Sequence, residues 1–332
     1  MMMSSLIEET RAGLVENIHD GLICGVSDQF ETLYQVGDVE QYVYYRSAAK
    51  PIQAIPAFMT GVKEKYQLTN EEATLFTASQ RGESYHIAAL ESLLGKIPVA
   101  ETDLYCAASL ALNSEPRDEM IRNGQEKRRL YHNCAGKHLG FLAVCRVLGY
   151  PLEDYWQMDH PLQRKIVAIL SSLAEISQDK IKTGVDGCGV PVFAIPLKNM
   201  AITYLKLACP DLIEDKEIRD AVIQMTKLMN ENPDIVASEH FVCSVLLRDS
   251  NIVAKGGAQG VYCFGLKKER IAFSLKVLSG SEEVWPNILA SILEQIGYSN
   301  KNTIASLKAL RPAVVKNDAG EEVGKVETVF SL

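Results

Sequence analysis

The sequence lacks any apolar run of the roughly 18 to 20 residues that a membrane-spanning helix needs. Its best candidate, residues 166–176, is too short and too polar. A secretory signal is absent as well, because residues 1–11 carry Glu8 and Glu9 and no long apolar stretch. We therefore expect a cytoplasmic protein that does not associate with membranes.

Cys-x-x-Cys pairs are missing, although the chain has eight cysteines. Asn-x-Ser/Thr sequences, which mark glycosylated surfaces of secreted proteins, are missing too. Scattered cysteines in a chain without an export signal are typically reduced and buried. The sequence therefore predicts mostly buried thiols.

Positive charge is scarce, since 34 Lys and Arg residues face 42 Asp and Glu residues, for a net charge of −8. Nucleic-acid-binding surfaces are strongly basic, so this balance argues against a nucleic-acid partner. The hydrophobic content of 47% and charged content of 23% are those of a soluble globular protein.

The most informative segment is Arg-Ser-Ala-Ala-Lys-Pro, in which Ser47 and Lys50 are three residues apart. On one helical turn, both side chains lie on the same face. A neutral lysine amine can take the serine proton, and burial or a nearby cation such as Arg46 makes an amine neutral. The pattern predicts an activated serine. A second match, Ser177-x-x-Lys180, is interpreted as an exposed helix end.

The surroundings of Ser47 support this interpretation. A strand-like run at 43–45 precedes it, and apolar residues at helical spacing follow over 52–59. Ser47 is therefore expected at a strand-to-helix junction, where backbone amides and the helix dipole can stabilise an oxyanion. Pro51 predicts an irregular first turn. The alternative is that Ser47 is an ordinary N-cap residue.

Strand patterns occur at both ends of the chain, and helical patterns lie between them. Predicted strands cover 15–19, 22–26, 32–36, 190–197, 252–254, 261–266, 271–277, 313–315 and 323–330. One predicted helix follows Ser47, and a capping box at 69–72 starts a second that runs toward Ser79. Further predicted helices cover about 85–95, 115–125, 137–149, 161–177, 215–230 and 282–296.

This order predicts an α/β (α+β) fold with an antiparallel-rich sheet built from both chain ends and an inserted helical lobe. We expect residues 1–332 to form a single catalytic unit. Its sheet part covers about 1–46 and 240–332, and its mainly helical part covers about 47–239. A cleft between sheet and helices is the expected position of the active site.

Two segments collect other reactive side chains. Cys134, Lys137 and His138 are spaced to share a helix face, and a thiolate with an imidazole can hold zinc. Cys188 follows Asp186 and lies between glycines, which let the backbone approach a ligand closely. If Cys188 faces Cys134, the pair can hold a metal, form a disulfide or pack as two thiols. From spacing alone, buried thiols are favoured.

Two more segments combine polar residues with glycine. Ser79 and Arg81 lie in a polar stretch around Gly82, and the simplest interpretation is a solvated loop between helices. Lys255 begins a glycine-rich segment after a short strand, and its amides could cradle an anion. The segment lacks the nucleotide phosphate-loop pattern, and the alternative is a hairpin connection with an exposed lysine.

Taken together, five segments resemble the L-asparaginase II family, the thermolabile rhizobial type. These segments are 11–16 with His19, 46–51, 133–138, 186–191 and 255–260. The likeness runs the length of the chain. It implies a fold like the serine β-lactamases and serine glutaminases, usually as a homodimer. It also implies hydrolysis of L-asparagine to L-aspartate and ammonia.

The resemblance also assigns roles to individual residues. It implies one catalytic pair of Ser47 with Lys50, and a second nearby pair of Ser79 with Lys255. Independently of the resemblance, the bidentate geometry of arginine suggests that Arg46 or Arg81 could bind the substrate carboxylate. Family members often have Ser-His-Ser-Gly-Glu where this chain has Ser-Gln-Arg-Gly-Glu from Ser79, a change that bears on substrate preference.

A metal site is implied in the same way. Cys134, Lys137 and Cys188 match the family's metal-capable residues, so one zinc ion per chain is the expected cofactor, and no organic cofactor is expected. His138 and Asp186 are implied to lie next to the substrate. Asp186 is also our candidate partner for the substrate ammonium group.

Two other functions stay open. Penicillin-recognising serine hydrolases use the same Ser-x-x-Lys logic with a Ser/Tyr-x-Asn and a Lys-Thr/Ser-Gly element. The chain contains such elements at 131–133 and 182–184. We rank this function second because Lys182 is expected to open a glycine-rich turn, whereas Lys255 follows a strand. The third candidate is a non-catalytic protein of the same fold that binds asparagine or a metal.

Overall fold

The structure is a computed structural model that describes residues 4–332. The chain divides into two compact units. The sheet unit comprises the described residues up to Ala48, together with Ile195–Ala208 and His240–Leu332. The helical unit comprises Ala49–Ala194 and Cys209–Glu239. Residues 195–208 therefore belong to the sheet unit, although the sequence placed them in the helical part.

The described residues contain eleven strands and thirteen α-helices. The strands are β1 (Ser4–Arg11), β2 (Leu14–Ser27), β3 (Thr32–Val36), β4 (Tyr42–Tyr44), β5 (Lys182–Val185), β6 (Pro191–Pro196), β7 (Ile252–Gly256), β8 (Val261–Leu266), β9 (Ile271–Val277), β10 (Val314–Lys316) and β11 (Glu322–Thr328). The helices are α1 (Lys50–Met59), α2 (Val62–Lys65), α3 (Asn70–Thr74), α4 (Ser84–Lys96), α5 (Ser114–Arg122), α6 (Ala135–Leu148), α7 (Pro161–Ala174), α8 (Leu197–Ala208), α9 (Lys216–Glu231), α10 (Pro233–Val236), α11 (Val242–Leu247), α12 (Trp285–Gln295) and α13 (Lys301–Leu310).

The sheet unit is built on one eight-stranded sheet with strand order β10-β11-β1-β2-β9-β8-β7, and β3 pairs with β2. Each of these pairings is antiparallel. In the register between the chain ends, Ile7 of β1 faces Thr328 of β11. The predicted fold class, an antiparallel-rich sheet built from both ends of the chain with helices between them, is confirmed.

Helix α8 packs against β2, β8 and β9 and covers a face of the sheet. No helix was predicted there, because residues 197–199 resembled a corner after the predicted strand. Most of α8 is buried, including Met200, Leu205 and Lys206. A helix buried almost all round has no clear amphipathic period, which is why its pattern escaped detection.

Strand β2 is continuous, whereas the sequence predicted two short strands with a break near Asp20 and Gly21. A Cβ atom at Gly21 would lie 2.4 Å from the Leu6 side chain. Glycine is therefore needed because two strands approach closely, and not because the chain turns.

The helical unit is organised around α1, which packs against α6, α7 and α9. The predicted capping box is confirmed, since Glu72 N donates to Thr69 Oγ1 at 3.2 Å and Thr69 N donates to Glu72 Oε2 at 2.8 Å. The helix that it starts is short, because a 3-10 turn follows at Leu75–Thr77. Strands β5 and β6 form an antiparallel ribbon in this unit, with Lys182 opposite Ala194.

All eight cysteines are free and buried, so the predicted buried thiols are confirmed. Within residues 4–332, no helix combines the length and the apolar character that crossing a membrane requires.

Candidate active site

Ser47 lies in a 3-10 turn, Arg46–Ala49, between β4 and α1. The predicted strand-to-helix junction and its irregular first turn are both confirmed. Arg46 has a left-handed backbone with φ of 49°, an uncommon conformation for a residue with a side chain. The N-cap of α1 is Ala49, and no side chain caps it. The alternative that Ser47 is the N-cap is therefore wrong.

Helix α8 holds the segment around Ser47 in place within the sheet unit. The Tyr45 hydroxyl donates to Thr203 Oγ1 at 2.8 Å. The Tyr204 hydroxyl donates to the carbonyl oxygen of Ala48 at 2.7 Å. Both tyrosines are fully buried, so these bonds fix the backbone on either side of Ser47.

Lys255 is buried on β7, with only 1% of its surface exposed. Its Nζ donates to the carbonyl oxygen of Gly256 at 2.7 Å. A Cβ atom at Gly257 would lie 2.6 Å from the carbonyl oxygen of Tyr45. The glycine-rich segment thus runs alongside the residues that lead to Ser47, and the interpretation of Lys255 as an exposed hairpin lysine is wrong.

Lys50 is completely buried in the helical unit. Its Nζ donates to the carbonyl oxygen of Ala78 at 2.7 Å, to Ser79 Oγ at 2.9 Å and to the carbonyl oxygen of Asn133 at 3.1 Å. Burial lowers the pKa of this amine, and the charge of Lys137 lowers it further, although Cys134 acts in the opposite direction. A neutral form of Lys50 is therefore favoured more than in water.

The contacts of Lys50 determine where a neutral amine would direct its two N–H bonds and its lone pair. The carbonyls of Ala78 and Asn133 can only accept, so they would take both remaining N–H bonds. The nitrogen lone pair would then face the hydroxyl of Ser79. The structure thus joins Lys50 to Ser79, while the pairing of Ser79 with Lys255 stays a prediction.

Gln80 is a buried residue of this region to which the sequence analysis assigned no role. It is 1% exposed, and its Nε2 donates to the carbonyl oxygens of Tyr131 at 2.9 Å and His132 at 3.0 Å. It therefore fixes the backbone just before Asn133, whose carbonyl accepts from Lys50. A solvated loop is the wrong description of this segment, because Ala78 and Gln80 are buried.

Arg81 is half-buried in the same segment. Its Nε donates to Asn113 Oδ1 at 2.5 Å, and Asn113 Nδ2 donates to Glu83 Oε1 at 2.6 Å. These bonds orient the guanidinium group. The expected carboxylate-binding role of Arg81, like that of Arg46, stays a prediction.

Lys137 and Cys188 form a buried contact in the helical unit, with Nζ 3.2 Å from Sγ. A hydrogen bond from Cys134 and the charge of Lys137 lower the pKa of Cys188 to about 5, although burial opposes the shift. Burial opposes a rise in the pKa of Lys137 that the charge of Cys188 produces. These shifts favour the thiolate form of Cys188 and the ammonium form of Lys137, with Cys134 donating to the same sulfur.

Asp186 and Cys188 share a tight turn. Gly189 N donates to the carbonyl oxygen of Asp186 at 2.8 Å, and Asp186 Oδ2 lies 4.0 Å from Cys188 Sγ. Gly189 has φ of 88°, and a Cβ atom there would lie 2.3 Å from the Tyr105 ring. Trp156 stacks on that ring at 3.8 Å between centroids. Aromatic packing therefore determines where the turn places Asp186 and Cys188.

His138 is completely buried on α6. Its Nδ1 lies 2.6 Å from the Tyr155 hydroxyl. Burial, followed by the charge of Lys137, lowers the pKa of His138 to about 3. The imidazole is therefore neutral at physiological pH. Tyr155 is another residue of this region that the sequence did not single out, because a lone tyrosine carries no motif.

The predicted metal ligands fit zinc in part. Within residues 4–332, no three His, Cys, Asp or Glu side chains lie together in a way that could hold a metal. The thiols of Cys134 and Cys188 with the amine of Lys137 are nevertheless donors that zinc accepts. Lys137 would first have to lose its proton, because its amine now donates to Cys188.

Lys182, the lysine of the Lys-Thr-Gly element expected in a penicillin-recognising hydrolase, differs from Lys255 in burial. Lys182 lies on β5, so the expectation that it opens a glycine-rich turn is wrong. Its side chain is exposed, whereas Lys255 is buried.

A model of the L-asparaginase II family matches residues 7–328. The chain belongs to the L-asparaginase II family. The resemblance drawn from its five segments is thereby confirmed, and membership supports an amide hydrolase. None of the curated proteins with which the chain was compared matches it.

Solved structures with similar folds include two beta-lactamases and a glutaminase. A beta-lactamase from Mycobacterium bovis is 16% identical, with 83% of this chain and 94% of that chain covered and a TM-score of 0.41. A Bacillus glutaminase is 13% identical, with 84% and 92% covered and a TM-score of 0.40. A class C beta lactamase from Rhodobacter sphaeroides is 12% identical, with 87% and 93% covered and a TM-score of 0.41. At such low identities and TM-scores, these likenesses do not assign a reaction.

Proposed function

We propose that this member of the L-asparaginase II family is an L-asparaginase, which hydrolyses L-asparagine to L-aspartate and ammonia through an acyl-serine intermediate. The observation that carries the proposal is the Lys50 amine. It is completely buried, its pKa is lowered, and two of its three acceptors are carbonyls. Such an amine is suited to act as a base near neutral pH.

In the proposed reaction, neutral Lys50 gives up its contact with Ser79 and takes the proton of Ser47, and Ser47 Oγ attacks the side-chain amide carbon. Backbone amides near the start of α1 stabilise the oxyanion, a contribution worth about a hundredfold or more in rate per donor. Lys50, or Ser79 paired with Lys255, passes a proton to the departing ammonia. Water then loses a proton to the base and cleaves the aspartyl ester, which restores the serine hydroxyl.

Recognition of the substrate is assigned to charged groups. We infer that Arg46 or Arg81 binds the α-carboxylate and that Asp186 binds the α-ammonium group. The orientation of Arg81 by Asn113 and the fixed turn at Asp186 support these assignments, since binding groups that are held in place lose little entropy.

We further propose that Cys134, Lys137 and Cys188 hold one zinc ion per chain. Bound zinc would supply positive charge and Lewis acidity beside Asp186. We also infer a cytoplasmic homodimer, and light scattering on the purified protein tests the dimer.

The deciding experiment measures ammonia release from L-asparagine and L-glutamine, with and without a chelator. Ser47→Ala should abolish turnover while the protein stays folded. Ser177→Ala is the matched control, because Ser177 belongs to the other Ser-x-x-Lys sequence and is exposed. Mass spectrometry of the quenched wild-type enzyme should detect one added aspartyl group, which Ser47→Ala should lack.

Other outcomes identify the competing functions. Full activity of Ser47→Ala would refute the nucleophile. Acylation by a penicillin reporter without ammonia release would favour the penicillin-recognising hydrolase. Stoichiometric binding of asparagine without turnover would favour the non-catalytic protein.

A further inference from the structure

A short chain of hydrogen bonds in the helical unit ends on His138. The backbone N–H of Tyr105 donates to the Tyr155 hydroxyl oxygen at 2.9 Å. The same hydroxyl lies 2.6 Å from His138 Nδ1. Tyr155 and His138 are both completely buried. Their hydrogen-bond partners within the protein therefore decide which atoms carry the protons.

The positions of the protons follow from this geometry. The Tyr155 hydroxyl has one hydrogen, and its oxygen already accepts from Tyr105. Within residues 4–332, the only acceptor that this hydrogen meets is His138 Nδ1. Nδ1 must therefore be the unprotonated nitrogen. An imidazole that is unprotonated on Nδ1 has its proton on Nε2.

The Nε2–H group of His138 is buried and has no hydrogen-bond partner within residues 4–332. A buried donor without an acceptor is costly, so such a group calls for an explanation. The charges of Lys137, Cys134, Lys50 and Asp186 all act on this ring. His138 thus lies among the residues assigned to chemistry and binding.

We propose that Tyr155 is a positioning residue that fixes His138 as an Nε2–H donor for an acceptor oxygen of the bound amino-acid substrate. This inference rests on the proposed function and adds a specificity element to it. The opposite tautomer would present a lone pair to the same oxygen and repel it. A donor of fixed direction favours a substrate with a carboxylate or carbonyl at that point.

Aromatic packing makes this arrangement rigid. The Tyr105 ring fills the space above Gly189 and stacks on Trp156. Tyr105 therefore connects the proton arrangement at His138 with the turn that carries Asp186. A displacement of Tyr105 would disturb the tautomer and the turn together.

The first test reads the tautomer directly and does not require turnover. Long-range proton–nitrogen NMR of protein labelled with 15N-histidine distinguishes protonated from unprotonated ring nitrogens. The His138 signals are assigned by their loss in His138→Gln. We expect an unprotonated Nδ1 and a protonated Nε2 in the wild type, and a mixture of tautomers in Tyr155→Phe.

The second test uses L-aspartate, the stable product, as a probe of contact. Its addition should shift the Nε2–H resonance of His138 in the wild type. A wild-type His138 with its proton on Nδ1, or a resonance that L-aspartate leaves unmoved, would overturn the inference. Either result is independent of whether the chain releases ammonia, so a failed asparaginase assay is distinguishable from a failed tautomer assignment.

The third test is kinetic. Tyr155→Phe should raise KM for L-asparagine about tenfold or more with kcat little changed, because a lost hydrogen bond to substrate affects ground state and transition state alike. The matched control is Tyr150→Phe. Tyr150 contacts the His160 ring edge-on at 6.2 Å between centroids, while the nitrogens of His160 bond to backbone atoms.

A double-mutant cycle separates positioning from a loss of structure. In the His138→Gln background, Tyr155→Phe should change KM by less than about twofold, because no tautomer remains to be fixed. An equal effect of Tyr155→Phe in both backgrounds, or a KM within about twofold of wild type for Tyr155→Phe alone, would contradict the role assigned to Tyr155.

Discussion

Lys50 donates a hydrogen bond to the Ser79 hydroxyl at 2.9 Å, across 29 positions of sequence. The two residues come from segments that show no local relation, and folding of the helical unit brings them together. The hydroxyl that contacts the buried amine is therefore that of Ser79, which the Ser-x-x-Lys spacing does not contain. This contact makes Lys50 the residue on which the proposed chemistry depends most.

Lys50→Met should reduce kcat by about a hundredfold to ten-thousandfold, because the base is removed. In this variant the carbonyls of Ala78 and Asn133 lose their donor, which lowers the free energy of unfolding by about 1–3 kcal/mol. The variant no longer buries an amine, and this gain offsets the loss. Lys206→Met is the control, since Lys206 is also buried but lies on α8 over the Phe30 ring. Ammonia release and thermal unfolding are the measurements, and near-normal turnover of Lys50→Met would exclude Lys50 as the base.

The activity of the wild type should rise with pH through the lowered pKa of Lys50, because only the neutral amine can accept a proton. The acid limb of kcat/KM should therefore lie below the pH at which ordinary lysines titrate. A pH–rate profile checks this expectation. A rate that stays flat at low pH would argue against a lysine base.

Gly189→Ala and Gly149→Ala form a matched pair in the helical unit. Both glycines have positive φ, of 88° and 69°, but a Cβ atom meets the Tyr105 ring at Gly189 and nothing within 4 Å at Gly149. Backbone strain alone should cost about 1 kcal/mol at Gly149. The added clash should raise the cost to about 3 kcal/mol at Gly189 and weaken substrate binding. Urea unfolding measures the loss of stability in both variants. Equal losses would show that the Tyr105 ring moves aside without a free-energy cost.

Zinc binding should depend on Cys134 and Cys188. Replacing either by serine should weaken binding about a hundredfold or more, because a thiolate ligand is lost. Cys145→Ser is the control, since Cys145 is a buried thiol on the same helix α6. Competition with a chelator gives the affinity. Binding should weaken as pH falls, because Lys137 has to release its proton, and unchanged affinity in both serine variants would remove the proposed site.

Stability should decrease with acid because of His86. Burial is the main reason that the pKa of His86 is lowered from 6.5 to about 4, and its ring nitrogens bond to Glu83 N and the Asp234 carbonyl. Below pH 6.5, His86 is protonated in the unfolded chain but stays neutral in the folded chain. The free energy of unfolding is therefore highest above pH 6.5 and decreases as the pH falls toward 4. The loss is at most about 3 kcal/mol.

His86→Gln should flatten this acid dependence and lower the stability at neutral pH. His240→Gln is the control, because His240 is exposed. Urea unfolding at several pH values gives the slopes. An unchanged slope in His86→Gln would assign the acid sensitivity to other groups.

Features set by neighbouring residues could be predicted from the sequence. The capping box at Thr69 and the turn at Ser47 depend on a few adjacent residues, and both are where the pattern puts them. Strands β3, β8 and β9 match their predicted bounds, because alternation or a short apolar run bounded by turns defines them. The family resemblance rests on the same kind of local information.

Features set by distant contacts could not be predicted in this way. The burial of Lys255 and of Gln80 follows from the elements packed around them, and each local sequence is compatible with a solvated loop. The hydrogen bond from Lys50 to Ser79 joins residues far apart in the sequence. The same is true of the chain of hydrogen bonds that links Tyr105, Tyr155 and His138. No spacing rule relates such positions.

The pairing of β1 with β2 and β11 has a consequence for synthesis on the ribosome. Strand β1 emerges early and can pair with β2 at once, but β11 is made about three hundred residues later, since Ile7 faces Thr328. During most of translation, one edge of β1 has no strand beside it, and open edges invite association with other chains. Nascent chains of this protein should therefore depend on chaperones until β11 has left the exit tunnel.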